Sequence, residues 1–407
     1  MTKRIPIIDS NIFFIAIAGI FIISMAFISC DRGGKDLKVG LFGVEQVLQK
    51  RSPYDNPTDP NRPLFRYAPG FVILQYPFLL KAKRVAPFEF KDIALSALLW
   101  YLVKILFLLI TGLILFKIIP SVSKEVSLRN IKISFLMAMP LIGYELSNGQ
   151  NKLLALFFVI ASIYFFEKNR LYLSAILFNL ALTIYIPLVL FVLYFILKNK
   201  KFILSFILAA LIVFIIAPSL VFGFNFNSYL LKEWFVRALK PFIFTNSYSS
   251  YIDLRDSSQS LPSVIGRIFV LGNARNFKYF ISPVFIHIII KVLSAIIVLF
   301  SCFAIWKQSK TFSKGLSYSV FLILALILPQ YCIYYSWSWI FVLYLAVFNY
   351  ISYPEVAMRN KRILLFLICI SFLSICLISF HSLKHLSLIF WTTILLWSGT
   401  AVAAMDN

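Results

Sequence analysis

The ten residues FVILQYPFLL, positions 71–80, decide how this chain is laid out. They form an apolar piece between two charged stretches. As a helix they reach only about 15 Å, half of a hydrocarbon core of about 30 Å. If they crossed a bilayer, every later connection would change sides. Lys3 and Arg4 precede the apolar run 11–30 and place the N-terminus on the cytoplasmic side. With a non-crossing piece at 71–80, the later basic connections all fall inside. These are Lys117/Lys124/Arg129/Lys132, Lys168/Arg170, Lys198/Lys200/Lys201, Lys307/Lys310/Lys314 and Arg359/Lys361/Arg362. A crossing would move all fifteen outside, against the positive-inside rule. The piece therefore reads as re-entrant or interfacial, and residues 31–92 as one large outer loop.

The composition agrees with a membrane setting. Of 407 residues, 61% are hydrophobic and only 14% charged, and the mean hydropathy is +0.88. Soluble domains carry about 45–50% apolar and about 25% charged residues, so a soluble enzyme is excluded. The net charge of +23 would suggest nucleic acid in a soluble chain. Here the basic loops read as topology signals and contacts to anionic lipids, with no nucleic-acid partner. Five cysteines, mostly inside apolar runs, read as small buried hydrophobes. Three histidines and no metal-binding spacing leave no protein-built metal site to propose. A glycine-rich phosphate loop and a soluble nucleotide domain are both missing, so an activated donor would be a lipid.

From the first run outward, further apolar runs fall at 93–116, 133–147, 153–166, 171–185, 188–197 and 202–222. The last five lie at 283–306, 315–334, 337–353, 363–380 and 386–403. The expectation is an all-α polytopic membrane protein of about twelve segments, forming a single domain over residues 1–407 with both termini cytoplasmic. Short segments are tolerated where protein covers the backbone. A rival reading of the first run is a cleaved leader, because Phe27-Ile28-Ser29-Cys30 faintly resembles a lipobox. Residues 223–282 form the second large outer loop. The outer connections hold eleven of the sixteen acidic residues, which points to chemistry on the outer face. Five prolines between Pro53 and Pro69 make much of the first loop rigid.

Asp36 lies shortly after the first run and opens an amphipathic helix with Leu37, Leu41, Val44 and Leu48 on one face. A carboxylate there could take a proton from an attacking hydroxyl, or could simply cap the helix. Asp55 and Asp59 read as turn residues. Trp337 and Trp339, with Tyr331, Tyr334 and Tyr335, read as an interfacial aromatic belt.

Several motifs, in order, resemble glycosyltransferase family 87 of the GT-C superfamily. The stretch GGKDLKVGLFGVEQVLQKRSPYD (33–55) is similar to that family's first outer loop, with an Asp, an amphipathic helix and a PYD-like turn. Phe65-Arg66-Tyr67-Ala68-Pro69-Gly70-Phe71 resembles its approach to a short hydrophobic piece, and Trp100 stands where a Trp is usual. Asn148-Gly149-Gln150-Asn151, Asp256-Ser257-Ser258-Gln259-Ser260-Leu261-Pro262 and Pro329-Gln330 with Tyr334 resemble three later elements. Tyr185 departs from the pattern, which often has Lys at that turn, and the late element lacks His. The resemblance implies transfer of a hexose, mannose first, from a polyprenyl-phosphate sugar to a lipid or glycan acceptor, with Asp36 as general base. It implies a substrate path near Tyr54, Tyr67, Gln150 and Gln259, while Glu145, one turn before Gly149-Gln150, reads either as a contact to a sugar hydroxyl or as a side chain facing the outer water layer. No cofactor is expected, although a divalent ion held partly by substrate would leave no motif.

Two lysines lie inside apolar runs. Lys291 reads either as part of a cationic pocket for the donor phosphate or as a snorkelling side chain, with His287 one turn above it. Lys104 reads as a structural pairing within the bundle. Arg255, between Asp253 and Asp256, is a second phosphate candidate, since guanidinium forks match phosphate oxygens. The rival from another class, a transporter or flippase of lipid-linked sugars, predicts paired midplane charges and repeat symmetry. The setting expected is the cell (inner or plasma) membrane.

Overall fold

A computed structural model describes residues 11–54, 65–79, 82–86, 89–240, 254–272, 277–308, 310–329, 332–377 and 386–405. Seven helices are long and apolar enough to cross a membrane. They are α1 (Asn11–Arg32), α4 (Ala94–Ile118), α5 (Lys124–Ser147), α9 (Phe202–Phe222), α12 (Pro283–Lys307), α15 (Met358–Leu377) and α16 (Leu388–Met405). Shorter apolar helices stand between them: α6 (Lys152–Glu167), α7 (Leu171–Ile184), α8 (Ile186–Lys198), α13 (Thr311–Ile327) and α14 (Ser336–Ile351). The chain is an integral membrane protein of helical class.

Which helices occupy the middle follows from their sequences. Every residue of α13 from Gly315 to Ile327 is buried, as are most of α6 and α14. These three carry apolar residues on every face, with a few small polar ones among them, because they meet protein on all sides. By contrast α1, α4, α9, α12 and α15 keep rows of Leu, Ile and Phe exposed, such as Ile15, Ile20 and Phe27 on α1 or Leu106 and Leu113 on α4. A contiguous apolar exterior of this kind is a lipid-facing surface.

Local signals set the helix boundaries. Gly33 and Gly34 carry φ of 60° and 57° and reverse the chain between α1 and α2 (Lys35–Leu48). Glycine takes this left-handed conformation without a Cβ penalty. Ser123 caps α5 by accepting a hydrogen bond from the Val126 N–H at 3.2 Å. Helix α5 therefore starts well before the apolar run begins, and Lys124, Arg129 and Lys132 sit on its first turns rather than in a loop. Pro187 starts α8 as a 3₁₀ turn, Ile186–Phe191, so α7 and α8 form a hairpin with Tyr185 at the bend.

The apolar piece at 71–80 forms α3 (Pro69–Gln75) followed by the 3₁₀ turn Tyr76–Phe78. Seven α-helical residues rise about 10 Å, too little to cross. Pro69, Phe71, Val72 and Gln75 are buried, and α3 packs against α2, α7 and α9. Helix α2 is also covered by protein. Leu37, Leu41 and Val44 are buried as expected, but Leu48 is 53% exposed, while Val39, Gly40, Gly43 and Val47 are buried as well. The apolar face is therefore displaced toward the side of Gly40 and Gly43, because close packing against Gln75 and Phe65 favours small residues over a leucine stripe.

Two small antiparallel ribbons add to the helical class, β1 (Lys83–Ala86) with β2 (Glu89–Lys91), and β3 (Val270–Gly272) with β4 (Phe277–Tyr279). Short helices α10 (Phe224–Trp234) and α11 (Leu261–Ile268) also lie in the region 223–282. Asp55, Asp59, Tyr331 and Gln330 lie outside the described residues. Trp337 and Trp339 do not form a belt. Both are fully buried, and the Trp339 indole N–H donates to the Lys152 carbonyl at 3.1 Å.

Candidate active site

Helix α2 meets the α5–α6 junction through two glycines. A Cβ at Gly34 would stand 3.2 Å from the Gly149 Cα, and one at Gly149 would stand 3.1 Å from both the Gly34 Cα and the Leu37 nitrogen. Gly149 has φ of 72°, so this turn favours glycine for conformation and for space. The close approach lets the Asp36 N–H donate to the Asn148 carbonyl at 3.0 Å. It also brings the Asp36 carboxylate to the Gln150 side chain, whose Nε2 donates to Oδ2.

Asp36 is therefore no cap. Gly34 occupies the N-cap position with no side-chain cap bond, and Asp36 stands in the first turn with its carboxylate committed to Gln150. Burial pushes its pKa from 3.8 up to about 6, against the pull of Lys104, Lys152 and Lys35. A half-buried carboxylate with a pKa near 6 is poised to accept a proton near neutral pH.

Behind this pair, Glu145 joins three helices. Its two oxygens accept from the Leu153 N–H at the start of α6 and from the Ser338 hydroxyl on α14. Glu145 is fully buried, so it cannot face an outer water layer. Lys152, the first residue of α6, donates to the Ser336 hydroxyl at 2.5 Å and lies over the Tyr185 ring at 4.3 Å. Tyr185 in turn donates to the Ala325 carbonyl at 2.7 Å. A cation thus does stand at the α7–α8 turn, supplied by α6 instead of by the turn itself.

The remaining expected residues form three separate groups. Tyr54 is buried in an aromatic cluster with Phe65 and Tyr67 beneath α2, and its hydroxyl donates to the Tyr67 carbonyl at 2.8 Å. Gln259 and Arg255 belong to the stretch before α11. The Gln259 N–H donates to the Cys332 carbonyl at 2.7 Å and its side chain to the Asp256 carbonyl at 2.9 Å. That strap reaches Cys332, four residues before the Ser336 that Lys152 contacts. Arg255 itself is exposed, and its carbonyl accepts from Arg267 at 2.8 Å. Lys291 is exposed on α12, with His287 half-buried above it. The cations that pull the Asp36 pKa down are Lys104, Lys152 and Lys35.

Lys152 and Ser338 escaped the reading of the sequence. The signal for Lys152 was its place directly after Gln150-Asn151, at a helix start. Ser338 carried none, since one serine in an aromatic run has no pattern. Among the described residues no group of three or more His, Cys, Asp or Glu side chains gathers to hold a metal ion.

Comparison with known proteins gives one match. The model of glycosyltransferase family 87 matches residues 65–329, which covers Glu145, Gln150, Lys152, Gln259 and Lys291 and begins after Asp36. Neither a curated protein nor a solved structure matches the chain.

Proposed function

The chain belongs to glycosyltransferase family 87 and is a membrane glycosyltransferase; from that premise we propose the donor, the face and the base of its reaction. It transfers a hexose, mannose first, from a polyprenyl-phosphate sugar to a lipid or glycan acceptor on the outer face of the cell membrane. Twelve segments cross, the piece at 71–80 does not, and both termini are cytoplasmic. This arrangement keeps the basic connections inside.

The observation that carries the reading is the Asp36 carboxylate, held by Gln150 among three lysines with its pKa raised to about 6. In the proposed reaction the acceptor hydroxyl gives its proton to Asp36 while its oxygen forms a bond to the anomeric carbon. The bond from that carbon to the phosphate oxygen breaks, the polyprenyl phosphate leaves with the electron pair, and the anomeric centre inverts. Cationic side chains stabilise the leaving phosphate. Lys35 and Lys152 flank the base, and Lys291 and Arg255 remain the proposed donor-phosphate contacts farther out. Tyr54 and Tyr67 shape the floor beneath α2, and Glu145 and Gln259 hold the surrounding elements in place.

The test is reconstitution in proteoliposomes with a panel of labelled polyprenyl-phosphate hexoses and a lipid-acceptor extract. Transfer of mannose onto an extractable acceptor supports the reading. Transfer from another hexose alone corrects the sugar. Donor crossing the bilayer with no covalent product supports the flippase instead.

A further inference from the structure

Helix α5 ends in a tight turn, and the carbonyls of Leu146, Asn148 and Gly149 there accept from neighbouring helices at the point where Asp36 docks. Asp36 uses its backbone N–H on the Asn148 carbonyl. Helix α4 supplies the other two donors from one face, at positions four residues apart: the Trp100 indole to the Gly149 carbonyl at 3.4 Å, and the Lys104 ammonium to the Leu146 carbonyl at 3.2 Å. An indole is an ordinary choice for such a contact. An ammonium with no exposure at all is not, because burying it costs several kcal/mol unless charges answer it.

The charges that answer Lys104 are the carboxylates of Glu145 and Asp36. Glu145 is already bonded to Leu153 and Ser338, so its position is fixed without Lys104. Trp100 shows that a neutral donor serves this junction. What Lys104 adds is a positive charge behind Asp36, where no water reaches it.

We propose that Lys104 is a positioning residue for the transfer reaction: it fixes the α5–α6 junction against α2 and keeps the Asp36 carboxylate in its charged, proton-accepting form. The groups facing Asp36 are Lys35 on its own helix, Lys104 from α4 and Lys152 from α6, with Glu145 of α5 facing Lys104. Lys35 is exposed and screened by solvent, and Lys152 is shared with Ser336 and Tyr185. Lys104 is the one of the three that is wholly shielded, so its field is screened least. Its pull on the Asp36 pKa is also larger than that of Lys152 or Lys35.

This inference rests on Asp36 being the base, so its test includes a readout that needs no donor. Infrared titration of the Asp36 carboxyl, assigned by its loss in Asp36→Asn, gives the ionisation midpoint directly. Lys104→Met and Lys104→Gln, the second of which still offers a donor to Leu146, raise that midpoint by about one pH unit. The acid limb of transfer moves with it, giving about threefold less product at pH 6.5 and nearly full recovery at pH 8.5. Lys104→Arg keeps the wild-type midpoint. Trp100→Phe, which removes the neutral donor of the same junction, lowers stability and leaves the midpoint in place. An unmoved midpoint in a folded neutral variant overturns the proposal. A shifted midpoint with an acid limb of transfer that stays where it is in wild type upholds the charge relationship and refutes Asp36 as base.

Discussion

Gly149→Ala puts the docking of α2 on trial. The residue has φ of 72°, a conformation that costs a residue with a Cβ about 1–2 kcal/mol. Its new methyl would stand 3.1 Å from the Gly34 Cα and from the Leu37 nitrogen, and both are backbone atoms that cannot swing aside. Relief therefore comes by moving α2 away from the junction, which stretches the bond between Gln150 and Asp36. A hydrogen bond to a charged group contributes about 1.5–3 kcal/mol. Together the two effects predict a loss of about 2.5–5 kcal/mol, a large part of the roughly 5–15 kcal/mol that holds a typical domain. Denaturant titration in mixed micelles reads the stability, and sugar transfer at equal folded amount reads the site. Gly112→Ala is the control. No atom lies within 4 Å of a Cβ there, inside a helix, so alanine is neutral or stabilises by up to about 1 kcal/mol. If Gly149→Ala matched wild type within about 0.5 kcal/mol and kept full transfer, the glycine-to-glycine contact would not be what seats Asp36.

Three further perturbations follow from the same geometry. Folding raises the Asp36 pKa from 3.8 to about 6, so the folded protein holds that proton more tightly, and the resulting stability is present below pH 4 and lost as pH rises through 6. Asp36→Asn keeps an oxygen for Gln150 without the charge; it should therefore equal wild type near pH 4 and exceed it by about 2 kcal/mol at pH 8 in unfolding titrations. For transfer, the wild-type acid limb should fall near pH 6, with rate lost below it. Ser338→Ala leaves a Glu145 oxygen buried without its donor and should cost about 1–3 kcal/mol by the same titration. Arg267→Leu removes bonds to the Arg255 and Ser258 carbonyls and to the Ser387 hydroxyl, and hydrogen exchange should accelerate in residues 254–260 while α4 and α6 stay protected.

The membrane class and the ends of most helices are written in periodicity and punctuation. Runs of about twenty apolar residues, Pro187 at the hairpin and Gly33-Gly34 before α2 are local signals, and local signals survive in a lone sequence. The start of α5 was harder. Its first turns are polar, so the apolar run marked only where the helix enters the bundle, whereas Ser123 marks where it begins. The ribbons are too short for a two-residue alternation to stand out. In the site, Asp36 and Gln150 could be singled out because each sits in a motif of unusual residues. Their hydrogen bond spans 114 positions and depends on two glycines meeting, which no single stretch reveals. Depth in a run does not tell the two lysines apart. Lys291 and Lys104 both interrupt apolar sequence, yet one points out of the bundle and the other into it, because only α4 turns that face toward α5. Trp337 and Trp339 misled in the same way, since an aromatic run reads alike whether lipid or protein covers it.

The measurement that bears most directly on the account compares wild type with Asp36→Asn in proteoliposomes, given radiolabelled polyprenyl-phosphate mannose and a lipid-acceptor extract, at equal folded amount and at pH 7.5. The account predicts labelled product from wild type and a loss of at least about a hundredfold in the variant, the low end of what general base catalysis supplies. Equal product from both would contradict it and leave the Asp36–Gln150 pair as a fastening between helices.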